Sequence, residues 1–518
     1  MMIALAAAPI LVVLILMVAF RWGGQRAGPA GWIAGVAVAW LAFGLTPQVL
    51  WVSQAKGLLL SLYVLAIIWP AMALYHVVNQ AGGIQAMATG LGLAMGDRGD
   101  RDDRGLLWIV LAWAFSGVLE GLAGFGLPIA VIGPMLIALG VEPIQAVAAV
   151  AVGHAWAVTF GDMGVIFQTL VAVVKMDGGL LAPAAAGALA AVCLACGLGA
   201  AFILGQARRW PVVVGLSLVM SAVQYVLAIS GLTPLAALGA GLAGVLGAIL
   251  LARLERRPHQ GEAGHRPGLK SSHPLAIALG CYGLVALIMT AASLPGPLHS
   301  RLLTLTWQAS FPAVTTLTDF STPAGGGQVF RPWLHPGTWL LAVAILATAV
   351  LTWRGVLPRQ AWRATAVSTW LSAAPASVGI LSMVGLSVLM DHSGMTQLLA
   401  QTLSRWMGAA FPLVSPLVGV LGAFATGSNN NSNVLFGALQ KQVALLLGIA
   451  PALLIATQTA GGAIGSMLAP AKIIVGCSTT GLKGRDGEVM RLTVPYGLAI
   501  GLGLGALALV VSWLPGVK

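Results

Sequence analysis

Charge is what this sequence has least of. Asp, Glu, Lys and Arg make up 8% of its 518 residues, where a typical soluble domain carries about 25%. No region regains the composition of a separate soluble domain. Acidic residues are the scarcer kind, 14 against 26 basic ones, leaving a formal net charge of +12. In a soluble protein that excess would raise nucleic acid as a partner. Here the basic residues sit in short loops between apolar runs, none long enough to form a binding domain. Nucleic acid is therefore not an expected partner, and the tendency of basic residues to stay on the cytoplasmic side accounts for them. Cysteine is scarce as well. Cys193, Cys196, Cys281 and Cys477 all lie in apolar surroundings. Cys193 and Cys196 form a CxxC, but no second pair completes a metal site, and buried free thiols behave as small hydrophobes. No metal and no cofactor are expected. Also missing are an HExxH, a paired-Asp intramembrane protease motif and a nucleophile elbow. A membrane-embedded enzyme is left with only His154 and Asp162 as an acid/base pair.

What is present is apolar length. The sequence is 58% hydrophobic, and a helix needs about 20 mostly apolar residues to cross a bilayer. Apolar runs fall at 2–20, 31–51, 58–79, 106–141, 143–174, 181–206, 212–230, 233–252, 274–294, 338–352, 364–390, 398–441, 443–476 and 492–514. Several exceed one span, so the pattern predicts an all-α polytopic membrane protein of about 12–14 transmembrane segments, with the lipid bilayer as its solvent. Met1–Phe20 lacks a basic region in front and has Arg21 and Arg26 behind it, the reverse of a cleaved signal peptide. An uncleaved first span with an outer N-terminus is expected.

Basic loops set the orientation. Arg208 and Arg209; Arg253, Arg256, Arg257, Arg266 and Lys270; Arg354, Arg359 and Arg363; and Lys483, Arg485 and Arg491 fit one cytoplasmic side, as do Arg98, Arg101 and Arg104. The polar 253–273 stretch reads as a cytoplasmic linker between an N-terminal half, 1–252, and a C-terminal half, 274–518. The long 295–337 loop falls outside, and is expected on the surface rather than over an entrance.

Two pairs of interrupted segments stand out. EGLAGFG begins at Glu120, and GHAWAVTFGDMG at Gly153. GSNNNSN begins at Gly427, and TQTAGGAIG at Thr457. The offsets, 307 residues from Glu120 to Gly427 and 304 from Gly153 to Thr457, nearly agree. Paired Gly/Pro-interrupted segments in corresponding halves are the best sequence pointer to a transporter site. Irregular backbone within the bilayer must be satisfied by protein or by a watery cavity. Ser428, Asn429, Asn430, Asn431, Ser432 and Asn433 form a polar row that cannot face lipid, and Asn offers both donors and acceptors. Six in a row exceed what interhelical glue needs. The row suits a hairpin tip holding a carboxylate or hydroxyl. The glycines of the first motif permit close backbone approach, and half-helix N-termini favour an anion. Ionisable residues within spans are candidates by default: Glu120, His154, Asp162 and Lys472 fall in the interrupted segments. Asp391 and His392 end an apolar run and suit an interface, and His76 suits a satisfied place inside the bundle. The repeated broken helices favour a transporter over a channel.

At these residues the chain resembles the lactate permease family, which includes L-lactate and glycolate permeases. The resemblance rests on SGVLEGLAGFGLP (Ser116–Pro128), GSNNNSNVLFGALQK (Gly427–Lys441), GGAIGSMLAPAKI (Gly461–Ile473) and TTGLKGRDGE (Thr479–Glu488), and covers essentially the whole chain. It implies two inverted repeats, each with a re-entrant hairpin, near 116–130 and 425–441, and a homodimer. It implies import of a small organic anion, a 2-hydroxymonocarboxylate such as lactate or glycolate, across the inner membrane with H+ as coupling ion. A sodium-coupled or exchange carrier of another anion is the alternative. The substrate or ion would be held by Ser116, Glu120, Gly124, Phe125, Gly126, His154, Thr159, Asp162, the 428–433 row, Gln458, Thr459 and Lys472. The chain departs from the family pattern at Asn430 and Asn431, where an acidic or Thr-containing centre is usual, at His154 and Asp162, where neutral residues are expected, and at Lys472, where Gln is expected. These changes bear on which anion is carried.

Overall fold

Proline and glycine mark where the helices of this protein start and stop. In the computed structural model, which describes residues 1–20, 22–87, 90, 104–122, 124, 127–254, 273–293, 296–482 and 485–514, Pro47, Pro143, Pro336, Pro451 and Pro470 each stand at a helix start. There the missing N–H costs nothing and the fixed φ is already helical. Thr46 and Glu142 complete two of these starts, accepting from the N–H of Val49 at 3.2 Å and of Gln145 at 3.0 Å. Among the described residues twelve helices are long and apolar enough to cross a membrane. Large apolar side chains such as Leu218, Val226 and Leu246 are exposed along them, a surface that belongs in lipid. The protein is an all-α multi-pass membrane protein.

The expected 31–51 run divides into helices Gly24–Ala42 and Pro47–Gln80. The cause is tertiary. Gly44, at φ 63°, lies against the long loop that follows the 274–294 run, where its carbonyl accepts from Leu317 N at 2.8 Å and Phe43 O accepts from Thr318 Oγ1 at 3.0 Å. The long loop itself folds into two small antiparallel ladders, Ser310–Phe311 with Gly325–Gly326 and Val314–Thr315 with Ser321–Thr322. The 398–441 run divides into Met395–Met407, Phe411–Thr426 and the first part of Asn429–Leu447. Arg98, Arg101, Phe125, Gly126 and Lys483 lie outside the described residues, as does the expected linker apart from Arg253, Leu254 and His273.

Some of the packing crosses between the two expected halves. Helices Gly24–Ala42 and Pro47–Gln80 both lie on Ala361–His392. Gly28 and Gly35 make the first contact close, since a Cβ at either would run into Ser382 or Leu386. A second group surrounds Pro451–Leu468, which touches Phe411–Thr426, Asn429–Leu447, Asp486–Ser512 and Gly178–Ile203. Its aromatic core includes buried Trp113 and Trp156. Trp113 Nε1 donates to Cys193 O at 3.1 Å, and Trp156 Nε1 donates to Trp113 O at 3.3 Å. The four cysteines are free thiols.

Candidate functional site

Four helix breaks build the site. Gly105–Leu122, which carries a π-helical turn at Leu111–Phe115, stops short of Gly124, and Leu127–Ala138 follows. Pro143–His154 passes through a 3-10 turn, Ala155–Phe160, into Gly161–Val174. Phe411–Thr426 ends at Gly427, whose φ of 74° reverses the chain into extended Ser428 and helix Asn429–Leu447. Pro451–Leu468 ends at Ala469, because Pro470 forbids helical continuation through the residue before it. The sequence of helix, break, helix, turn, helix, break, helix therefore occurs twice. The 116–130 expectation meets the first break. The 425–441 expectation contains the Gly427–Ser428 turn but takes in little of the helix before it; the two arms run Phe411–Thr426 and Asn429–Leu447, and Gly422 packs against Ser432 and Phe436 between them.

The break at 161–164 is strained. Asp162 and Met163 hold φ values of 50° and 54°, followed by Gly164 at 79°. Left-handed backbone at a residue with a Cβ costs of order 1–3 kcal/mol, and it persists only where surrounding contacts impose it. One such contact is visible: Gly124 N donates to Asp162 Oδ1. The strained turn of one segment thereby holds the break of another.

A cavity of about 380 Å³ lies where these breaks meet. Glu120, Asp162, Lys472, Thr426 and Ser428 through Asn431 line it, with Val158, Val165 and Ile166 as apolar walls. Four unpaired polar atoms belong to its lining residues, Asn429 Oδ1 among them. Glu120 is 1% exposed and its Oε2 has no partner; Asn430 is 6% exposed and neither its Oδ1 nor its Nδ2 has one. A buried polar atom left without a partner costs about 1–3 kcal/mol, so these atoms call for a ligand or water. The N-terminus of Asn429–Leu447 also reaches the cavity, and Ser428 gives it no side-chain cap, leaving the positive end of a 19-residue helix there. Lys472 Nζ donates to Ser466 Oγ at 3.1 Å and, among the described residues, forms no ion pair with Glu120 or Asp162. It is nonetheless near enough to act electrostatically on both and on His154.

The other anticipated residues stand behind this lining. Thr159 Oγ1 lies 3.2 Å from Thr459 Oγ1, and Asn429 Nδ2 donates to Thr159 Oγ1 at 3.2 Å and Thr459 O at 3.1 Å. Asn433 Nδ2 donates to Thr459 Oγ1 at 2.9 Å. Ser432 Oγ donates to Gly419 O at 2.9 Å and accepts from Gln458 Nε2 at 3.1 Å. Ser116 Oγ returns to its own helix at Ala112 O, 2.7 Å away. His154 Nδ1 lies 2.8 Å from Val150 O, and its buried Nε2 is unpaired. Of the 428–433 row, Ser428 to Asn431 meet the cavity, while Ser432 and Asn433 turn into the protein. His76 lies 3.3 Å from Ser372 Oγ, and buried His392 meets Lys56 Nζ at 3.2 Å.

The structure adds a wall that hydropathy passes over. Gly23, Gly24 and Gln25, at the start of Gly24–Ala42, line the cavity with Ile68 and with Pro375, Gly379 and Ile380 of Ala361–His392. The one cue in the sequence is a polar gap between the first two apolar runs. Ser415 and Gln440 were also unmarked. Ser415 Oγ donates to Gln440 Oε1 at 3.0 Å, and Gln440 Nε2 donates to Gln458 Oε1 at 3.1 Å.

The family model described as L-lactate permease matches residues 2–514. The L-lactate permease of Bacillus subtilis (strain 168) is 25% identical over 521 residues, covering 92% of this chain and 90% of that protein. The glycolate permease GlcA of Escherichia coli (strain K12) is 24% identical over 554 residues, covering 98% and 94%, and the L-lactate permease of the same strain is 27% identical over 454 residues, covering 80% and 79%. Among solved structures, the YdaH transporter of Alcanivorax borkumensis aligns with a TM-score of 0.46 at 16% identity, covering 86% of this chain and 84% of that one.

Proposed function

The chain belongs to the L-lactate permease family, and from that premise we propose that it imports a small 2-hydroxymonocarboxylate, such as lactate or glycolate, through the plasma membrane by proton symport. The observation that carries this reading is the cavity's polar lining: one lysine, two carboxylates, and an Asn430 amide whose donor and acceptor are both unspent. A 2-hydroxy acid presents a carboxylate for the lysine and the helix N-terminus, and a hydroxyl for the amide. About 380 Å³ is at the small end of ligand sites and suits a molecule of that size.

Charge supports a cotransported proton. With Glu120, Asp162 and Lys472 all ionised, the cavity carries one net negative charge before any substrate arrives. A monoanion entering alone would double it in a poorly solvated place. An anion entering with a proton leaves the net charge unchanged. It also avoids the electrical cost of moving an anion inward against an inside-negative potential, about 2.3 kcal/mol per 100 mV. We place the two broken segments around Gly124 and Gly427 as re-entrant hairpins of inverted repeats, meeting at the cavity.

The test uses purified protein in sealed proteoliposomes with labelled lactate. An imposed inward proton gradient is expected to drive accumulation and an imposed sodium gradient to drive none. Accumulation that follows sodium, or uptake that never exceeds equilibrium, would overturn the symport reading.

A further inference from the structure

Gly124 marks a place where two carboxylates turn toward each other. A Cβ at Gly124 would stand 2.7 Å from Glu120 Oε1, 2.8 Å from Asp162 Oδ2 and 2.9 Å from Asp162 Oδ1. Three oxygens from two residues, on separate helices, thus face one small space that exists because residue 124 has no side chain. A second glycine brings the helices together: a Cβ at Gly161 would lie 3.0 Å from Glu120 Cγ. A water in that space would lie within hydrogen-bond reach of both carboxylates, so a proton can be shared through it. Among the described residues neither carboxylate forms an ion pair, and Lys472 Nζ donates to Ser466 Oγ. Glu120 Oε2 and both amide atoms of Asn430 remain buried and unpartnered on the same cavity.

The charged surroundings are few. His154, at the end of Pro143–His154, and Lys472, on Pro470–Thr479, are the titratable neighbours from packed elements. Lys441, on Asn429–Leu447, bonds Val174 O at 2.7 Å at the far end of Gly161–Val174. Lys56, on Pro47–Gln80, meets His392. Ala236–Leu254 meets Gly121 at Leu238 and carries Arg253 at its other end. Two ionised carboxylates facing each other in such a place repel strongly, whereas one proton between them turns repulsion into a hydrogen bond.

We propose that Glu120 and Asp162 form a single proton-holding pair, with the coupling proton shared across the gap left by Gly124 rather than carried by Glu120 alone. This rests on the symport reading and deepens it. The proton arrives with the anion on one side and leaves with it on the other. While it is bound, the pair ties the break before Leu127 to the strained turn at 161–164. When it leaves, two like charges push on the two segments that enclose the substrate. Proton release and rearrangement of the breaks are then one event.

The experiment combines transport stoichiometry with infrared spectroscopy of the full chain. Protons and lactate entering sealed proteoliposomes are counted for wild type, Glu120→Gln, Asp162→Asn and Gly124→Ala. Each substitution is expected to lower proton-driven accumulation about tenfold or more. Gly124→Ala should do so although it keeps both carboxylates, because its methyl group occupies the shared space. In detergent at neutral pH with saturating lactate, wild type is expected to show a protonated-carboxyl band that is lost in both Glu120→Gln and Asp162→Asn. If Asp162→Asn keeps normal stoichiometry and the band while Glu120→Gln loses both, the pair is overturned and the symport reading stands. If both variants couple normally, the symport reading through these residues falls too. Wild type provides an arm that needs no variant to fold: absence of any protonated-carboxyl band at neutral pH with lactate bound overturns the pair.

Discussion

Among the described residues that line the cavity, Lys472 is the single positive charge and Asn430 the least satisfied polar group. The two are complementary. In the proposed site the lysine would attract a small anion, and the amide would tell a hydroxylated anion from a plain one. A site built to hydrogen-bond a hydroxyl discriminates strongly against an analogue lacking it. Lys472→Gln keeps a donor in reach of Ser466 and removes the charge. Its expected effect is a loss of substrate binding worth at least about 2 kcal/mol, since the anion and two carboxylates are left without their counter-charge. Half-saturation in labelled-lactate counterflow measures this, and an unchanged value would remove Lys472 from the site. The lysine, the two carboxylates and the Asn row could be read from the sequence, because ionisable or polar residues inside apolar runs are conspicuous. Gln25 could not. It stands at a helix start beside solvent, where a glutamine carries no signal.

At the level of elements, the Asn429–Leu447 helix is held by a relay of amides and hydroxyls rather than by apolar packing alone. Gln440 joins Ser415 to Gln458, and Gln458 reaches back to Ser432, one turn into the helix whose first residues meet the cavity. Gln440→Leu removes three hydrogen bonds and strands the amide oxygen of Gln458 and the carbonyl of Ser415, which Gln440 Nε2 serves at 3.1 Å. A loss of about 1–3 kcal/mol in stability is expected, the usual cost of a buried polar group left without its partner. Thermal unfolding in detergent reads this directly. A midpoint equal to wild type would show that water replaces the amide and the relay is dispensable. Broken helices were legible from glycine, proline and polar runs. The relay was not, because a serine or glutamine in a long apolar segment is indistinguishable by composition from one that merely bonds its own helix, as Ser116 does.

For the molecule as a whole, the cavity lies on a seam between two packing groups. Gly24, Gln25 and Ile380 belong to helices gathered around Ala361–His392, while Asn430 belongs to those around Pro451–Leu468, with Gly161–Val174 of Asp162 packed on Asn429–Leu447 and the helix of Glu120 packed on Gly161–Val174. A carrier must expose its site to each side in turn, so this seam is where movement is expected. A Cβ at Gly24 would lie 3.7 Å from Asn431 Nδ2, close enough to plan a bridge. In the Gly24→Cys/Asn431→Cys double variant, oxidation is expected to stop lactate uptake and a reductant to restore it, with wild type under the same oxidant as control. Full uptake in the cross-linked protein would show that the two walls do not separate.

The sequence by itself determined that this protein lives in a membrane, roughly where its helices run, and which segments break. Those properties are local: apolar length, proline's missing N–H and a row of amides that cannot face lipid. Tertiary structure decided the rest. It placed Asp162 on Gly124, sent Ser432 and Asn433 into the protein while leaving Ser428 to Asn431 at the cavity, and brought a wall from the first helices to meet Ala361–His392 across the length of the chain. In irregular backbone a side chain's direction follows the contacts that impose the turn, and those contacts join segments hundreds of residues apart. Composition and spacing hold no record of them.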